Sequence, residues 1–244
     1  MNATLSLTRA EIARIRRNKR YLVFTIGLPV VLYLIFAKQA GASATAYGIS
    51  FRAEYMVSMA TFGAISSALN SNAIRISQER KDGWIRQLRL SALPAYGYVV
   101  AKILASMAIS IPSITIVMLL GRFYGDVQLP IWEWVVIAVA IWFGTLIFAA
   151  LAVAIGYRVD PNSAQPTVMM VFMLFTILGG VWFPLGGALQ KIGKLTPTYG
   201  VVRIATDVMA HGTVVWGYVA GILVWLVIFA ALATLSVRAT AESI

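Results

Sequence analysis

The stretch ISQERKDGWIRQLRLSALPAYGYVVAK, from Ile76 to Lys102, is a charged island between two apolar segments. It holds seven ionised side chains in a chain in which only 12% of residues are charged. Its first part, QERKDG, predicts a helix that ends at an Asp82-Gly83 turn. Apolar residues then recur on one face of a second, short helix: Trp84, Ile85, Leu88 and Ala92. About ten helical residues span only about 15 Å, so we expect this helix to lie along the membrane surface; the alternative is a solvated loop whose basic residues only fix the topology.

The composition of the 244-residue chain is that of a membrane protein. Hydrophobic residues make up 60% of it, and its mean hydropathy is +0.82. The absence of cysteine excludes thiolate metal sites, and the single histidine, His211, cannot build a metal centre alone, so we predict no metal site. The net charge of +11 comes from basic residues that flank apolar segments, where they orient the chain and contact anionic lipids. We therefore predict membrane lipids as partners, and no nucleic acid.

Six segments meet the length of about 20 mostly apolar residues that a helix needs to cross a bilayer. They are residues 21–37, 53–73, 98–120, 131–157, 165–185 and 214–237. Lys and Arg number fourteen on one side of these segments and six on the other, which predicts that both termini are cytoplasmic. The ASA at Ala42–Ala44 resembles a signal-peptide cleavage site, but the long basic region before the first segment and the five segments after it favour an uncleaved span.

The predicted spans lack the ionisable residues near their centres that proton- or sodium-coupled carriers use. Glu54 and Glu133 lie at predicted span ends. GALQKIGKL, from Gly187, resembles a phosphate-binding loop, but its glycine spacing is wrong and Leu195 stands where Ser or Thr is needed. An active transporter without such residues and without a nucleotide site would therefore take its energy from another chain.

The charged island resembles the cytoplasmic loop of type-2 ATP-binding-cassette (ABC) transporter permeases. The matching positions are Glu79, Arg80, Asp82, Gly83, Leu88, Pro94 and Lys102. SALP stands where Thr-Pro is usual, and Ala101 replaces the usual Gly before the Lys. A second match, GGVWFPLGGALQKIGKLTPTYGVVRIATDVMAHG, is similar to the segment after the fifth span of these permeases, and its corresponding positions are Phe183, Pro184, Leu189, Pro197, Tyr199, Arg203 and Gly212.

The resemblance implies an all-α integral membrane fold of six spans in a single domain over residues 1–244. It implies an N-terminal interfacial helix within 1–20, a cytoplasmic coupling loop at 76–96 and an external interfacial segment at 186–213. In this family the coupling helix docks on a cytoplasmic ABC ATPase, which binds the ATP and Mg, and the permease acts as a dimer with a second permease chain. By this resemblance we assign ATPase coupling to Glu79, Arg80, Asp82, Gly83, Trp84 and Leu88.

Two further sets of residues are candidates for the transport path. The second span is unusually polar, and the fifth carries a stripe of methionines at helical spacing; both features also suit plain helix packing. Because these two spans line the cavity in related permeases, we predict that the path includes Ser67, Asn70, Met169, Met173 and Thr176. We predict an external gate formed by Phe183, Pro184, Pro197, Tyr199 and Arg203.

The sequence thus predicts the permease subunit of a bacterial ABC exporter in the inner membrane, with no catalytic residue and no cofactor of its own. The expected substrate is an amphiphilic drug-like, antibiotic or lipid-like molecule, and the alternative cargo is a polysaccharide or other polymer precursor. An integral membrane enzyme acting on lipid and a channel or secondary carrier are the rivals. The enzyme is disfavoured because only nine acidic residues are scattered over both sides, and the carrier because charges are missing inside the spans.

Overall fold

The computed structural model describes residues 3–39, 45–46, 48–89, 94 and 96–242. The Ala42–Ala44 motif, Ala92 and part of the predicted coupling loop lie outside the described residues. The N-terminal elements are α1 (Ala3–Arg17), α2 (Lys19–Leu22), a π-helical segment (Val23–Gly27), α3 (Leu28–Gln39) and a two-stranded antiparallel ladder of β1 (Thr45–Ala46) and β2 (Ile49–Ser50). The remaining elements are α4 (Phe51–Lys81), α5 (Trp84–Arg89), α6 (Gly97–Phe123), α7 (Ile131–Arg158), α8 (Pro161–Leu178), α9 (Gly187–Gly193), α10 (Pro197–His211) and α11 (Trp216–Glu242).

Helix boundaries follow local capping chemistry. α4 begins where the Ser50 hydroxyl accepts a hydrogen bond from the amide of Ala53, at 3.3 Å, and it ends at Asp82. Gly83, with φ of +74°, then takes the left-handed conformation that reverses the chain into α5. The predicted turn at Asp82-Gly83 is confirmed.

Within the described residues, four helical segments are long and apolar enough to cross a membrane. They are Lys19–Gln39, Gly97–Phe123, Ile131–Arg158 and Trp216–Thr240. The protein is therefore a multi-pass membrane protein whose described secondary structure is helical except for the short ladder. The two other predicted spans fall on α4 and α8, so a count of six stays a prediction.

The central helix, α4, is buried at every residue from Ala53 to Leu69. It packs against α3, α6, α7, α8 and α10. A helix enclosed by protein does not need an apolar surface, and its small and hydroxyl residues allow neighbouring backbones to approach closely. Burial thus explains why α4, which is long enough to cross a membrane, carries more polar residues than the four apolar segments.

The predicted fifth span, 165–185, is wrong at its C-terminal end. α8 stops at Leu178, and the chain turns at Gly179 and Gly180, the latter with φ of +73°. A Cβ at Gly179 would lie 2.3 Å from Cγ2 of Thr198, so only glycine lets this turn pass under α10. The apolar residues 181–185 belong to the turn and not to the helix.

Candidate functional site

An ion cluster with a buried centre joins three helices at the end of the bundle where α4 meets α5. Its members are Glu11, Arg14, Arg75, Glu79 and Lys102. Lys102, on the first turns of α6, is 1% exposed, and its Nζ lies 2.9 Å from Oε1 of Glu11 and 2.8 Å from Oε2 of Glu79. Because a buried ammonium needs counter-charges, this one side chain ties α1 and α4 to α6.

Three further groups complete the hydrogen bonding of the two carboxylates. Arg14 donates to Oε1 of Glu79 at 2.8 Å, and Arg75 donates to Oε2 of Glu11 at 3.2 Å. The hydroxyl of Tyr98 donates to Oε2 of Glu79 at 2.6 Å. The cluster is therefore a network with several bonds to each carboxylate, the arrangement in which a buried charge is tolerated.

Burial alone would raise the pKa of Glu79, but the charge and hydrogen bond of Lys102, the hydroxyl of Tyr98 and the charge of Arg14 outweigh it, so the pKa is lowered. A lowered folded-state pKa stabilises the protein at pH values above the unfolded-state pKa of about 4.3, and this contribution disappears as the pH falls through the folded-state value. We expect the unfolding temperature of the wild type to fall on acidification below about pH 4.3, and that of Glu79→Gln to fall less. Thermal unfolding in detergent from pH 6 to pH 3.5 measures both, and parallel curves would contradict this role of Glu79.

Arg80, the next residue, connects α4 to α7. Its guanidinium donates to the backbone carbonyl of Val159 at 2.9 Å and to that of Tyr157. These carbonyls lie at the C-terminal end of α7, where an arginine can donate to the last helical carbonyls and complement the negative end of the helix dipole. Glu79 and Arg80, predicted for ATPase contact, both have intramolecular partners in this structure.

The short helix α5 packs one face against the bundle and leaves the side chain of Trp84 exposed. Ile85 is 8% exposed and packs with Ile76 and Tyr98, and Leu88 is half-buried against the same group. Trp84, in contrast, is 42% exposed, and Asp82 in the preceding turn is exposed. The residues predicted for coupling therefore divide into an anchored set, with Glu79, Arg80 and Leu88, and an accessible set, with Asp82, Gly83 and Trp84.

An elongated cavity of about 510 Å³ lies between α2, the π-helical segment, α4 and α8. Three of the predicted substrate-path residues line it: Asn70, Met169 and Met173. Arg75 of the ion cluster lines it too, together with Phe62, Phe172 and Trp182. Its volume is in the range of drug-sized binding sites, about 300–1,000 Å³.

The other two predicted path residues do not line this cavity. Ser67 is fully buried and donates its hydroxyl to the carbonyl of Ala64, at 2.7 Å. Thr176 is also fully buried; it donates to the carbonyl of Phe172 and accepts a hydrogen bond from the indole of Trp182 at 3.1 Å. Through that bond Thr176 holds in place an aromatic ring of the cavity wall.

The residues predicted for an external gate lie beyond the C-terminal end of α8, in the turn that follows it and in α10. Phe183 and Pro184 are exposed in the turn after α8, whereas Pro197 and Tyr199 are buried at the start of α10. Arg203 forms an ion pair of 2.5 Å with Asp207, one turn further along α10, as the spacing predicts. Most of α10 is buried, so this helix packs into the bundle along much of its surface.

Sequence reasoning missed Glu11 as a functional residue and read Lys102 only as a family match and a topology signal. One signal was available. Glu11 is the only acidic residue among the first twenty, in a region otherwise basic, and a lone opposite charge there indicates a specific partner. The partner itself is 91 positions away in the chain, which no local pattern reveals.

Comparison with known proteins identifies a family and a relative that this chain resembles. Residues 43–237 match the family described as "ABC-2 family transporter protein". A protein of Bacillus subtilis (strain 168), provisionally named the transport permease YvfS, is 28% identical over 232 residues, which is 94% of each chain.

Proposed function

The chain belongs to the ABC-2 transporter family as a membrane permease, and we propose that it exports an amphiphilic drug-like, antibiotic or lipid-like molecule across the bacterial inner membrane. A separate cytoplasmic ATPase, which binds ATP and Mg, supplies the energy. A second permease chain completes the transporter, both termini face the cytoplasm, and membrane lipids surround the bundle. Residues 1–244 act as one transmembrane domain.

The observation that carries this proposal is the continuity between α5 and the wall of the cavity. α5 follows α4 after a two-residue turn, and α4 supplies Asn70 and Arg75 to the cavity. The ion cluster and the Arg80 contacts join this end of α4 to α1, α6 and α7. A force that a partner applies to α5 would therefore move several helices together, which is what a permease driven by a separate ATPase requires.

Trp84 is the accessible anchor for the ATPase in this proposal. An exposed tryptophan beside charged groups is typical of the residues that dominate binding at protein interfaces. Asp82 and Gly83 shape the turn that presents it, while Glu79 and Arg80 act from inside by holding α4 in position. The size of the cavity favours a single amphiphilic molecule over a polymer, which needs a continuous wide channel.

The coupling role is tested by the double variant Trp84→Ala with Leu88→Glu, assembled with the partner ATPase in liposomes. We expect substrate-stimulated ATP hydrolysis to fall at least about tenfold, because losing a central anchor costs 2 kcal/mol or more of binding free energy. Membrane insertion should be unchanged. The matched control is Trp216→Ala, which removes an exposed tryptophan at the start of α11 and should leave coupling intact. Normal stimulation in the double variant would remove the docking role of α5.

A further inference from the structure

The cavity described above has a polar end and an apolar end. Along α4 it runs from Phe62 to Arg75, fourteen residues, or about 20 Å of helix. On α4 the lining residues towards Arg75 include Asn70 and Ser71, beside the apolar Ile74. At the other end Phe62 packs against Phe172 and Trp182, with ring centroids 4.9 and 5.5 Å away. A cavity graded in this way along its length matches an elongated amphiphile that lies parallel to the helices, with its head group towards the α5 end.

The charge at the polar end is positive. Arg75 is the single Lys, Arg, Asp or Glu among the lining residues that the structure describes. Behind it, Arg75 and Lys102 balance the carboxylates of Glu11 and Glu79, so the cluster adds no net negative charge at this end; Arg14, with 59% of its side chain exposed, adds a solvent-screened positive charge. Among the contacts of the described residues, Arg75 uses only its Nη1, in a 3.2 Å bond to Glu11, which leaves other guanidinium N–H groups for a ligand.

We propose that this cavity binds an amphiphile with an anionic head group, phosphate or carboxylate, and that Arg75 is the residue that recognises the head. The inference rests on the proposed function and makes its substrate class more specific. The planar guanidinium suits such head groups because it donates two parallel, charge-assisted hydrogen bonds. The aromatic and methionine side chains of Phe62, Met169 and Met173 receive the apolar body, and methionine adapts to bodies of different shape.

The test is a binding measurement on the purified chain in a neutral maltoside detergent, with radiolabelled dodecyl phosphate and dodecyltrimethylammonium as probes. We expect dodecyl phosphate to bind at least about tenfold more tightly, and Arg75→Gln to remove this preference. Arg75→Lys should keep part of it. Arg16→Gln, which neutralises an exposed arginine on α1 outside the cavity lining, is the matched control and should change nothing. Equal binding of the two probes by the wild type, or an unchanged preference in Arg75→Gln, would overturn the proposal.

A second variant keeps the test valid if Arg75→Gln does not fold, because Arg75 also belongs to the ion cluster. Gln165 is an exposed residue at the start of α8 that lines the same cavity. Gln165→Glu should fold normally and weaken dodecyl phosphate binding about tenfold by placing a like charge beside the head group. Unchanged binding in this variant would also overturn the proposal.

The source of the ligand is decided by competition with phosphatidylglycerol. Displacement of dodecyl phosphate would show that an anionic lipid of the adjoining leaflet can occupy the cavity, and the absence of displacement would exclude phosphatidylglycerol as the occupant; both results retain the anionic head at Arg75. The assay contains no ATPase. A failed binding test therefore leaves the coupling result with Trp84→Ala and Leu88→Glu unaffected, and a failed coupling test leaves this binding result unaffected.

Discussion

Lys102→Met is expected to lower the unfolding temperature of the protein by about 10 °C and to reduce the yield of monodisperse protein. The substitution removes the ammonium group that lies between Glu11 and Glu79, two carboxylates whose side chains are only 5% and 8% exposed. Breaking a buried ion pair on one side costs about 3–5 kcal/mol, because the remaining charge is left without its partner. For a chain of this size, each 1 kcal/mol corresponds to about 2–4 °C. Thermal unfolding followed by size-exclusion chromatography in detergent measures the change.

Two companion variants separate the ion cluster from a general effect of losing a lysine. Lys81→Met removes an exposed lysine at the end of α4 and should change stability by less than about 0.5 kcal/mol. Glu11→Gln should destabilise the wild type but restore part of the stability of Lys102→Met, because it neutralises a carboxylate whose partner is gone. If Lys102→Met behaves like Lys81→Met, or if the two cluster substitutions simply add, the cluster does not hold α1 and α4 to α6.

Gly156→Leu is expected to prevent α4 and α7 from packing, with a loss of more than about 3 kcal/mol of folding free energy. At this glycine even a Cβ would lie 2.6 Å from Cβ of Ile76 and 2.9 Å from the carbonyl oxygen of Ala73. The carbonyl oxygen of Ala73 and the Cβ of Ile76 are both held in place by the backbone of α4, so no side-chain rotation moves them away and the two helices must separate. The same thermal unfolding and chromatography measurements report the effect.

The control for this prediction is Gly217→Leu. Apart from the neighbouring backbone of α11, no atom of the described residues lies within 4 Å of a Cβ built at Gly217 or at Gly221, so the larger side chain has open space there. The GYVAG pattern of α11 has the spacing of a helix-packing motif, but in this chain it makes no close contact with the described residues. Equal stability of Gly156→Leu and Gly217→Leu would show that the α4–α7 crossing tolerates a wider separation.

Local chemistry explains which parts of the fold the sequence predicts. The Asp82-Gly83 turn and the extent of α7 depend on neighbours within a few positions, and both are found as expected. The end of α8 was missed because hydropathy stays high through residues 181–185, whereas the turn at Gly179 is fixed by Thr198 of another helix.

Only part of the candidate site could be predicted from the sequence, again because local patterns reveal neighbours within one helix and not partners on distant helices. Asn70, Met169 and Met173 follow from the composition of single helices, together with the resemblance to type-2 permeases, and they line one cavity. The ion cluster depends on pairs that are 23 to 91 positions apart, and only the assembled bundle brings them together. The sequence could indicate that Glu79 matters, but not that its partners lie within the chain and that Trp84 is the more accessible residue.

The buried, polar character of α4 has a consequence for how this protein is made. A nascent chain that has reached only Lys81 carries a helix with Ser66, Asn70 and Asn72 along it, and such a helix partitions poorly into lipid on its own. The helices that enclose α4 are mainly α6 and α7, which are translated later. We therefore expect α4 to integrate stably only after the next two helices have been made, when about two thirds of the chain has been translated.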